Sequence, residues 1–464
     1  MSENSPQEAV ERALAAAKSD DCIVIADEGS AANLRWAGNS LTTNGVSRSR
    51  QLTVIAITRS GDEARVGAVS RAGVRVDQIA GVVAEAEAAA AGAAPAEDAG
   101  PLVPSNPVSG AGWDEPPATT EIGVFSGFAA DLGTAFGTAA SGGRKLYGFA
   151  EHEMTSSYIG TSAGLRLRHD QPSGRLELNA KSADLATSAW AGTGTRDFGD
   201  VDISGLEADL AQRLGWAKRS VSLPAGRYET LLPPTAVADL LLYMYWSAGA
   251  KDALDGRTVF SKAGGGTRVG EQLASLPLFL YSDPAEAGLQ CAPFVVAHAS
   301  SRESSVFDNG LQTGRTDWIA AGKLGALIQT RHTARLSDLP VTPAIDNLVL
   351  TAPDAAGSIT DMVSRTSRGL LLTCLWYIRE VDPQTLLLTG LTRDGVYLVE
   401  NGEVTGAVNN FRFNESPVGM LGRLSQVGRS EPALPREWSD YFTRAMMPPA
   451  RVEGFNMSSV SQAS

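Results

Sequence analysis

A proline-rich stretch divides the chain and limits what any one folding unit can contain. Six prolines fall within Ala93–Thr120, and the stretch shows no hydrophobic period. Because proline lacks a backbone N–H and fixes φ, neither a helix nor a central strand continues through such a segment. We therefore expect an extended linker over 96–120, with separately patterned parts of the chain on either side.

The two segments that flank this linker carry the patterns of a mixed α+β protein. Residues 1–95 open with Ser5-Pro6 before an amphipathic run and continue with strand-like runs between turn residues. Residues 121–220 contain two amphipathic stretches and an alternating pattern on both sides of 170–174. The sequence predicts an N-terminal α/β domain over 1–95 and a small middle α/β domain over 121–220, with a hairpin turn at 170–174.

Strand signals dominate the rest of the chain. An apolar run predicts one central helix at about 236–247. Its large, mostly apolar residues Leu241, Leu242, Tyr245 and Trp246 are expected to pack into the domain. Asn401-Gly402 is typical of a tight hairpin. These patterns predict a β-rich, barrel-like C-terminal domain over 221–450. The Ser-, Pro- and Gly-rich residues 451–464 predict a flexible tail.

Charge and targeting signals restrict the partners of the chain. It carries 52 acidic and 39 basic residues, a net charge of −13. Such a surface repels phosphate backbones and anionic lipid, so we expect no nucleic-acid partner and no membrane partner. The N-terminus lacks a signal-peptide pattern and no apolar run reaches the roughly 18 residues of a membrane span, which favours a cytoplasmic location. The three widely separated cysteines exclude a disulfide scaffold and a zinc knuckle.

Histidine is scarce, which limits metal and hydrolytic chemistry. The four histidines, His152, His169, His298 and His332, include no pair at a spacing of three to five. In Glu151-His152-Glu153, a strand would turn only the two carboxylates to the same face. His298 follows an apolar run, as a core histidine does. No metal ligand is predicted from these residues.

Two further motifs resemble catalytic patterns without their context. Gly160–Gly164 matches G-x-S-x-G around Ser162, but an alternating strand pattern follows it where a nucleophile elbow needs a helix. A turn between two strands explains these glycines better. The glycine-rich 263–270 lacks the Gly-Lys-Ser/Thr of a phosphate loop. From the residues alone, we predict no catalytic and no cofactor-binding residue.

Several short segments, in their order along the chain, resemble the TldD/PmbA (TldE) family of two-subunit bacterial modulators of peptide maturation and turnover. The matching segments are Asn33–Ser40, Leu223–Pro234, Ser305–Gly310, Thr330–Arg335, Ile345–Leu348 and Val399–Val404. The resemblance spans about residues 8–430 and implies the family's α+β fold, with a metalloprotease-like C-terminal domain.

The family resemblance also implies which kind of subunit this chain is. TldD-type chains carry His-Glu-x-x-x-His on the central helix, where two histidines hold zinc, and take a cysteine from a later strand. The corresponding residues here, Asp239–Trp246, include no histidine and no glutamate, and Cys374 is the only thiol near that later strand. The chain therefore resembles the TldE-type subunit, with no zinc of its own and zinc expected in a TldD-like partner.

Three hypotheses about function follow. The first is a non-catalytic TldE-like subunit of a heterodimeric zinc metallopeptidase that processes small or unfolded peptides, shaping the substrate chamber of a TldD-like partner. The second is a non-enzymatic peptide-binding module in a peptide-modification pathway. The third is a self-sufficient hydrolase that uses Ser162 or Cys374.

Overall fold

The computed structural model describes residues 5–61, 63–105 and 109–462. Residues 106–108 of the predicted linker, residues 463–464 of the predicted tail and the first four residues lie outside the described parts. Within them, no helix has the length and apolar character needed to cross a membrane.

One long antiparallel sheet unites the predicted N-terminal and middle domains. Its strands are β1 (Asp21–Ala37), β2 (Leu41–Ser60), β3 (Glu63–Ala72), β4 (Arg144–Thr161), β5 (Arg166–Ser182) and β6 (Ser188–Thr195). They lie in the order β3-β2-β1-β4-β5-β6, so β1 pairs with β2 on one side and with β4 on the other. The 121–220 segment therefore shares a sheet with the N-terminal residues.

Four helices cover one face of this sheet. They are α1 (Pro6–Ala16), α2 (Ile79–Gly92), α3 (Ser126–Ser141) and α4 (Ile203–Trp216). Ser5 caps α1 by accepting from Glu8 N, and Asp202 caps α4 by accepting from Gly205 N. At Gly67 the sheet and α2 approach so closely that a Cβ would lie 2.2 Å from the Ala86 carbonyl oxygen. Glycine is therefore required at this contact.

The opposite face of the sheet packs against the C-terminal part of the chain. Isoleucines of β1 and β2 meet Phe294, Val306 and Phe307 there. Beside them, the Asp27 carboxylate accepts from Ser157 Oγ and lies 2.8 Å from His298 Nε2. The expectation of a core histidine at 298 is wrong, because its side chain is 40% exposed and ion-paired.

The C-terminal part contains two further sheets around a central helix. Its helices are α5 (Pro234–Trp246), α6 (Ala250–Leu254), α7 (Arg331–Ser337), α8 (Ile359–Ser364) and α9 (Pro417–Leu421). Its first strands are β7 (Ser220–Val221), β8 (Gly226–Leu232), β9 (Phe279–Ser282), β10 (Thr316–Ala320), β11 (Lys323–Leu324), β12 (Leu348–Thr351), β13 (Arg368–Leu372) and β14 (Leu375–Asp382). The remaining strands are β15 (Leu387–Thr392), β16 (Val396–Glu400), β17 (Glu403–Val408), β18 (Phe411–Glu415), β19 (Leu424–Val427), β20 (Glu431–Ala433), β21 (Ala445–Met447) and β22 (Ala450–Val460).

These strands form open sheets, so the barrel-like expectation is corrected. One sheet has the order β11-β10-β9-β12-β21-β20, and the other runs β14-β15-β18-β22-β8-β13-β16-β17-β7, with β19 paired to β22. The end strands of each path do not pair with each other, and side chains of both sheets pack around α5. The tight hairpin predicted at Asn401-Gly402 is confirmed between β16 and β17.

The hairpin turn predicted at 170–174 is wrong. β5 runs straight through these residues, and the turn lies at its start, where Gly164 N donates to Thr161 O. Asp170 accepts from Ser156 Oγ of β4, which holds the turn-like residues in the ladder. Pro172 is tolerated because β6 ends at Thr195, opposite Gly174, so no neighbouring strand needs its missing N–H.

The predicted flexible tail is also wrong over its described residues. β22 is an interior strand that pairs with β8 and with β18. Phe455 and Met457 are fully buried in the core around α5. The polar residues that suggested disorder alternate with these apolar residues, as expected for a strand with one buried face.

The Asp27–His298 pair predicts a pH-dependent stability. The hydrogen bond to Asp27 raises the pKa of His298, against the opposing effect of burial. The stabilisation is thus complete below about pH 6.5, the ordinary His value, and disappears as the pH rises through the raised pKa. We expect His298→Gln to lower the melting temperature at pH 6 and to have a much smaller effect at pH 9.

Thermal unfolding at both pH values tests this expectation. As a control, the pH-dependent part of the effect should vanish when His298→Gln is made in an Asp27→Asn background. An equal loss at both pH values would show that the ion pair contributes nothing.

Candidate functional site

The helix α5 occupies the place where the family resemblance puts the catalytic motif. Pro234 opens it at the first helical position, and an almost continuous apolar run follows. Leu241, Leu242 and Tyr245 are buried, which confirms the expectation that they pack into the domain. Trp246 was expected to be buried as well, but it is 38% exposed and rests edge-on against Trp438.

Asp239 is the one acidic residue of α5. Both its side-chain carboxylate and its backbone carbonyl group accept hydrogen bonds within the protein. Its carboxylate accepts from Glu437 N at 2.9 Å, and its carbonyl oxygen accepts from Trp438 Nε1 at 2.9 Å. Burial raises the pKa of Asp239 well above its ordinary value, while the Glu437 N–H and the charge of Arg436 oppose the rise. This carboxyl group is a structural anchor within the core.

Arg436 brings a fixed positive charge to the same place. Its guanidinium stacks over the Trp376 ring, 3.5 Å from the centroid, and is about nine-tenths buried. It also lies beside Cys374, where it opposes the rise in thiol pKa to about 12 that burial causes. Asp239, Cys374 and Arg436 therefore form one buried cluster, here called the α5 cluster.

The α5 cluster does not fit a zinc ion. Zinc in proteins takes three or four His, Cys or carboxylate ligands, and the cysteine must be a thiolate. Here burial keeps the thiol protonated, the carboxylate is hydrogen-bonded, and a guanidinium already supplies the positive charge. Among the described residues, no three His, Cys, Asp or Glu side chains could together hold a metal ion.

The segment that carries Arg436 connects the α5 cluster to the N-terminal sheet. Within this segment, residues 435–444, Ser439 Oγ donates to Glu177 and Asp440 forms an ion pair with Arg175. Between the segment and the sheet lies a cleft of about 250 Å³. The 435–444 segment thus closes the core on one side and forms a cleft wall on the other.

Glu151 and Glu153 line this cleft, as their alternation on a strand predicted. Glu151 is paired with Arg175 at 2.9 Å. Burial, and then repulsion from Glu151, raise the pKa of Glu153. His152 faces away, where its ring nitrogens lie 2.7 Å from Thr120 Oγ1 and from the Arg196 carbonyl oxygen, and burial lowers its pKa.

Ser162 lies in the turn between β4 and β5, which confirms the interpretation of G-x-S-x-G as a turn. Its Oγ accepts from Cys22 N at 3.0 Å and lies 3.5 Å from the Asp21 carboxylate. A serine nucleophile is usually activated by a histidine, and the hydrogen bonds of Ser162 include no histidine.

No pattern in the amino-acid sequence indicated the role of the 435–444 segment. Arg436 and Glu437 follow a proline in a stretch without hydrophobic period, so they resemble ordinary surface residues. Yet the Glu437 carboxylate accepts from the backbone N–H groups of Tyr377 and Ile378. Only the tertiary structure shows that these charges are buried against α5 and β14.

The fold and this site define a class of protein. A family model described as the PmbA/TldA metallopeptidase C-terminal domain matches residues 225–459, just over half of the chain. The chain therefore belongs to the PmbA/TldD family that its sequence motifs resemble. The comparison with curated proteins gives no match.

Solved structures show the same fold over almost the whole chain. TldE from Thermococcus kodakarensis is 15% identical, with a TM-score of 0.78, and the match covers 96% of this chain and 98% of that one. A proposed modulator of DNA gyrase from Thermotoga maritima is 16% identical, with a TM-score of 0.76 and 97% and 99% coverage. A second such protein, from Bacteroides thetaiotaomicron, is 14% identical, with a TM-score of 0.73 and 98% coverage of both chains.

The burial of α5 predicts a large cost for truncating it. Leu242→Ala removes a side chain that is 1% exposed, and such changes cost about 2–5 kcal/mol through lost burial and the cavity left behind. We expect a clear shift of the urea midpoint. Leu336→Ala, at a position that is 55% exposed, is the matched control and should shift it little. Equal effects of the two variants would contradict the packing of α5.

The three free cysteines predict resistance to alkylation. Cys22, Cys291 and Cys374 are all buried, and burial raises their pKa to about 12, 11 and 12. Because the thiolate is the reactive form, iodoacetamide at pH 8 should leave the folded chain unmodified while a denatured sample reacts at all three positions. Mass spectrometry measures the result. Rapid, selective modification of Cys374 would instead identify a reactive thiol.

Proposed function

We propose that this chain is the non-catalytic, TldE-like subunit of a heterodimeric zinc metallopeptidase. In this role it shapes the chamber in which a TldD-like partner processes small or unfolded peptides. The partner supplies the zinc and the glutamate that activates water. This chain supplies walls and peptide contacts, and the pair works in the cytoplasm.

The α5 cluster is the observation that carries this proposal. The helix that would present zinc ligands to an open cleft is packed with Leu240, Leu241 and Leu242, each at most 1% exposed. Its one carboxylate is tied to the 435–444 segment, and the neighbouring cation is Arg436. In such a chain the family fold is retained, and the α5 cluster stabilises the core instead of binding zinc.

The cleft beside the 435–444 segment favours a role in peptide contacts. Both carboxylates and arginines line it, among them Glu151, Glu153 and Arg175 on β4 and β5. A non-enzymatic peptide-binding module would have the same features, so that alternative remains the second candidate. The two differ in one respect, since only the first requires a partner that carries His-Glu-x-x-x-His.

Reconstitution with a TldD-like partner tests the proposal. We expect stoichiometric zinc and hydrolysis of a fluorogenic unfolded casein in the co-purified pair, and neither in this chain alone. Mutating the glutamate of the partner's motif should abolish hydrolysis because that group activates the attacking water. Zinc content by elemental analysis and release of fluorescence are the two readouts.

Two variants of this chain provide the controls. Ser162→Ala and Cys374→Ala, each checked for an unchanged melting curve, should leave hydrolysis by the pair intact. Stoichiometric zinc and hydrolysis in the isolated chain would overturn the proposal. A chain that binds peptide but forms no complex with any such partner would favour the binding-module alternative.

A further inference from the structure

Part of β2 forms an open edge of the N-terminal sheet. β3 pairs with β2 only over 51–60, and its last bond runs from Gly73 N to Arg50 O at 3.0 Å. Gly73 then takes a left-handed conformation (φ +61°) and the chain turns away. From Asn44 to Arg48, β2 therefore pairs with β1 alone within the described chain.

The register shows which backbone groups point outward along this edge. In an antiparallel ladder, the residues of a central strand bond alternately to one neighbour and to the other. Because Arg50 bonds on the β3 side, the N–H and C=O groups of Asn44, Val46 and Arg48 face the same side, where the strand has no neighbour. The groups of Gly45 and Ser47 face β1. The open edge is thus a row of unpaired donors and acceptors.

A groove of about 990 Å³ adjoins the Arg48 end of this edge. The β1 and β2 residues around Ser30 and Arg48 line it together with two segments, 73–77 and 117–119. Val74, Val76, Pro117 and Ala118 make part of this lining apolar. The groove begins where β3 ends its pairing with β2. A strand added beside Asn44–Arg48 would therefore have one end next to the groove.

We propose that the open edge of β2 binds an extended peptide segment by strand addition, with one end of that segment in the adjoining groove. Backbone pairing supplies affinity that is tolerant of sequence, and the groove selects an apolar side chain. This inference deepens the proposed function and rests on it for the source of the peptide. Its test needs neither the partner nor cleavage.

The surroundings of the edge favour a single peptide strand over a second copy of this chain. The stretch Leu41–Arg50 contains Arg48 and Arg50 and no acidic residue. Two-fold pairing of this stretch with itself would bring four arginines into one short ladder, and like charges across a ladder destabilise it. Arg50 is ion-paired with Glu28 of β1, whereas the Arg48 side chain, 3.5 Å from Glu121, stays 67% exposed. A peptide with glutamates at its ends would be attracted by Arg48.

The other edge of the sheet is already covered, which makes the β2 edge distinctive. At β6, a Cβ on Gly194 would lie 2.4 Å from the Thr443 carbonyl oxygen, so the 435–444 segment covers that edge. On β3, part of the outer backbone is occupied, because Ala96 N donates to Ala64 O at 2.8 Å. The stretch from Asn44 to Arg48 contains neither a proline nor a bulge, and Arg48 is its one charged residue.

Hydrogen–deuterium exchange at single-residue resolution tests the proposal on the isolated chain. The probe is an acetylated, amidated ten-residue peptide of alternating Thr and Val with Glu at both ends. We expect it to slow exchange at Asn44, Val46 and Arg48 at least tenfold and to leave Gly45 and Ser47, already bonded to β1, unchanged. The same peptide with every inner backbone nitrogen methylated cannot pair and should protect none of them.

A matched pair of variants separates backbone pairing from side-chain contact. Val46→Pro removes one outward N–H without touching the bonds to β1, and we expect at least tenfold weaker peptide binding by fluorescence anisotropy. Val46→Thr keeps the N–H and should bind like the parent chain. If Val46→Pro does not fold, the exchange experiment on the parent chain decides alone.

Three results would overturn the inference. Protection confined to the cleft at Glu151 and Glu153, or equal binding of the methylated peptide, would show that the peptide is held elsewhere. Protection of the edge without peptide, increasing with protein concentration, would assign it to a second copy. Failure of zinc-dependent hydrolysis in the reconstituted pair would count against the proposed function only, because peptide binding by this chain is measured without it.

Discussion

The burial of α5 on nearly all sides is the constraint on which the C-terminal structure depends. Strands of both C-terminal sheets contribute side chains to the core around it, and the 435–444 segment covers the side that remains. A helix with so many apolar residues cannot leave one side exposed to water at little cost. The buried carboxylate of Asp239 then fixes where the covering segment must sit, because an unpaired polar group in such a core is costly.

In the proposed function, the α5 cluster takes the place of a zinc site within the family fold. In the α5 cluster, a guanidinium stacked on tryptophan lies near the buried carboxyl group of Asp239, and burial keeps the thiol of Cys374 protonated. The positive charge is covalently attached, so it cannot bind water as a Lewis acid or exchange with solvent. At the surface of the same region, Glu151 and Arg175 are ion-paired with each other and line the cleft beside the 435–444 segment.

Local sequence signals predicted helices and one tight hairpin, because their causes lie within a few residues. The cap at Ser5 and the turn at Asn401-Gly402 are such cases. The turn-like residues 170–174 were misjudged because pairing with β4 outweighs their local preference. The barrel-like expectation failed for a related reason, since strand count does not reveal strand order.

Only part of the candidate site could be predicted from the sequence. The absence of histidine and glutamate from α5 could be read directly, given the family resemblance. Arg436 and Glu437 could not be identified, because their burial results from contacts with residues about 60 and 200 positions away. Likewise, the open edge of β2 depends on where β3 ends, which a strand pattern locates to within a few residues at best.

The interior position of β22 sets the order in which the molecule can assemble during synthesis. β8 pairs with β22, and Leu232 lies opposite Ala450. More than two hundred residues must therefore be synthesised after β8 before this pairing can form. At ordinary translation rates this wait lasts roughly 10–40 s. During that time β8 presents an unpaired apolar edge on the nascent chain, and ribosome-associated chaperones are the natural protection for it. The N-terminal sheet can form earlier, since its six strands are complete by Thr195.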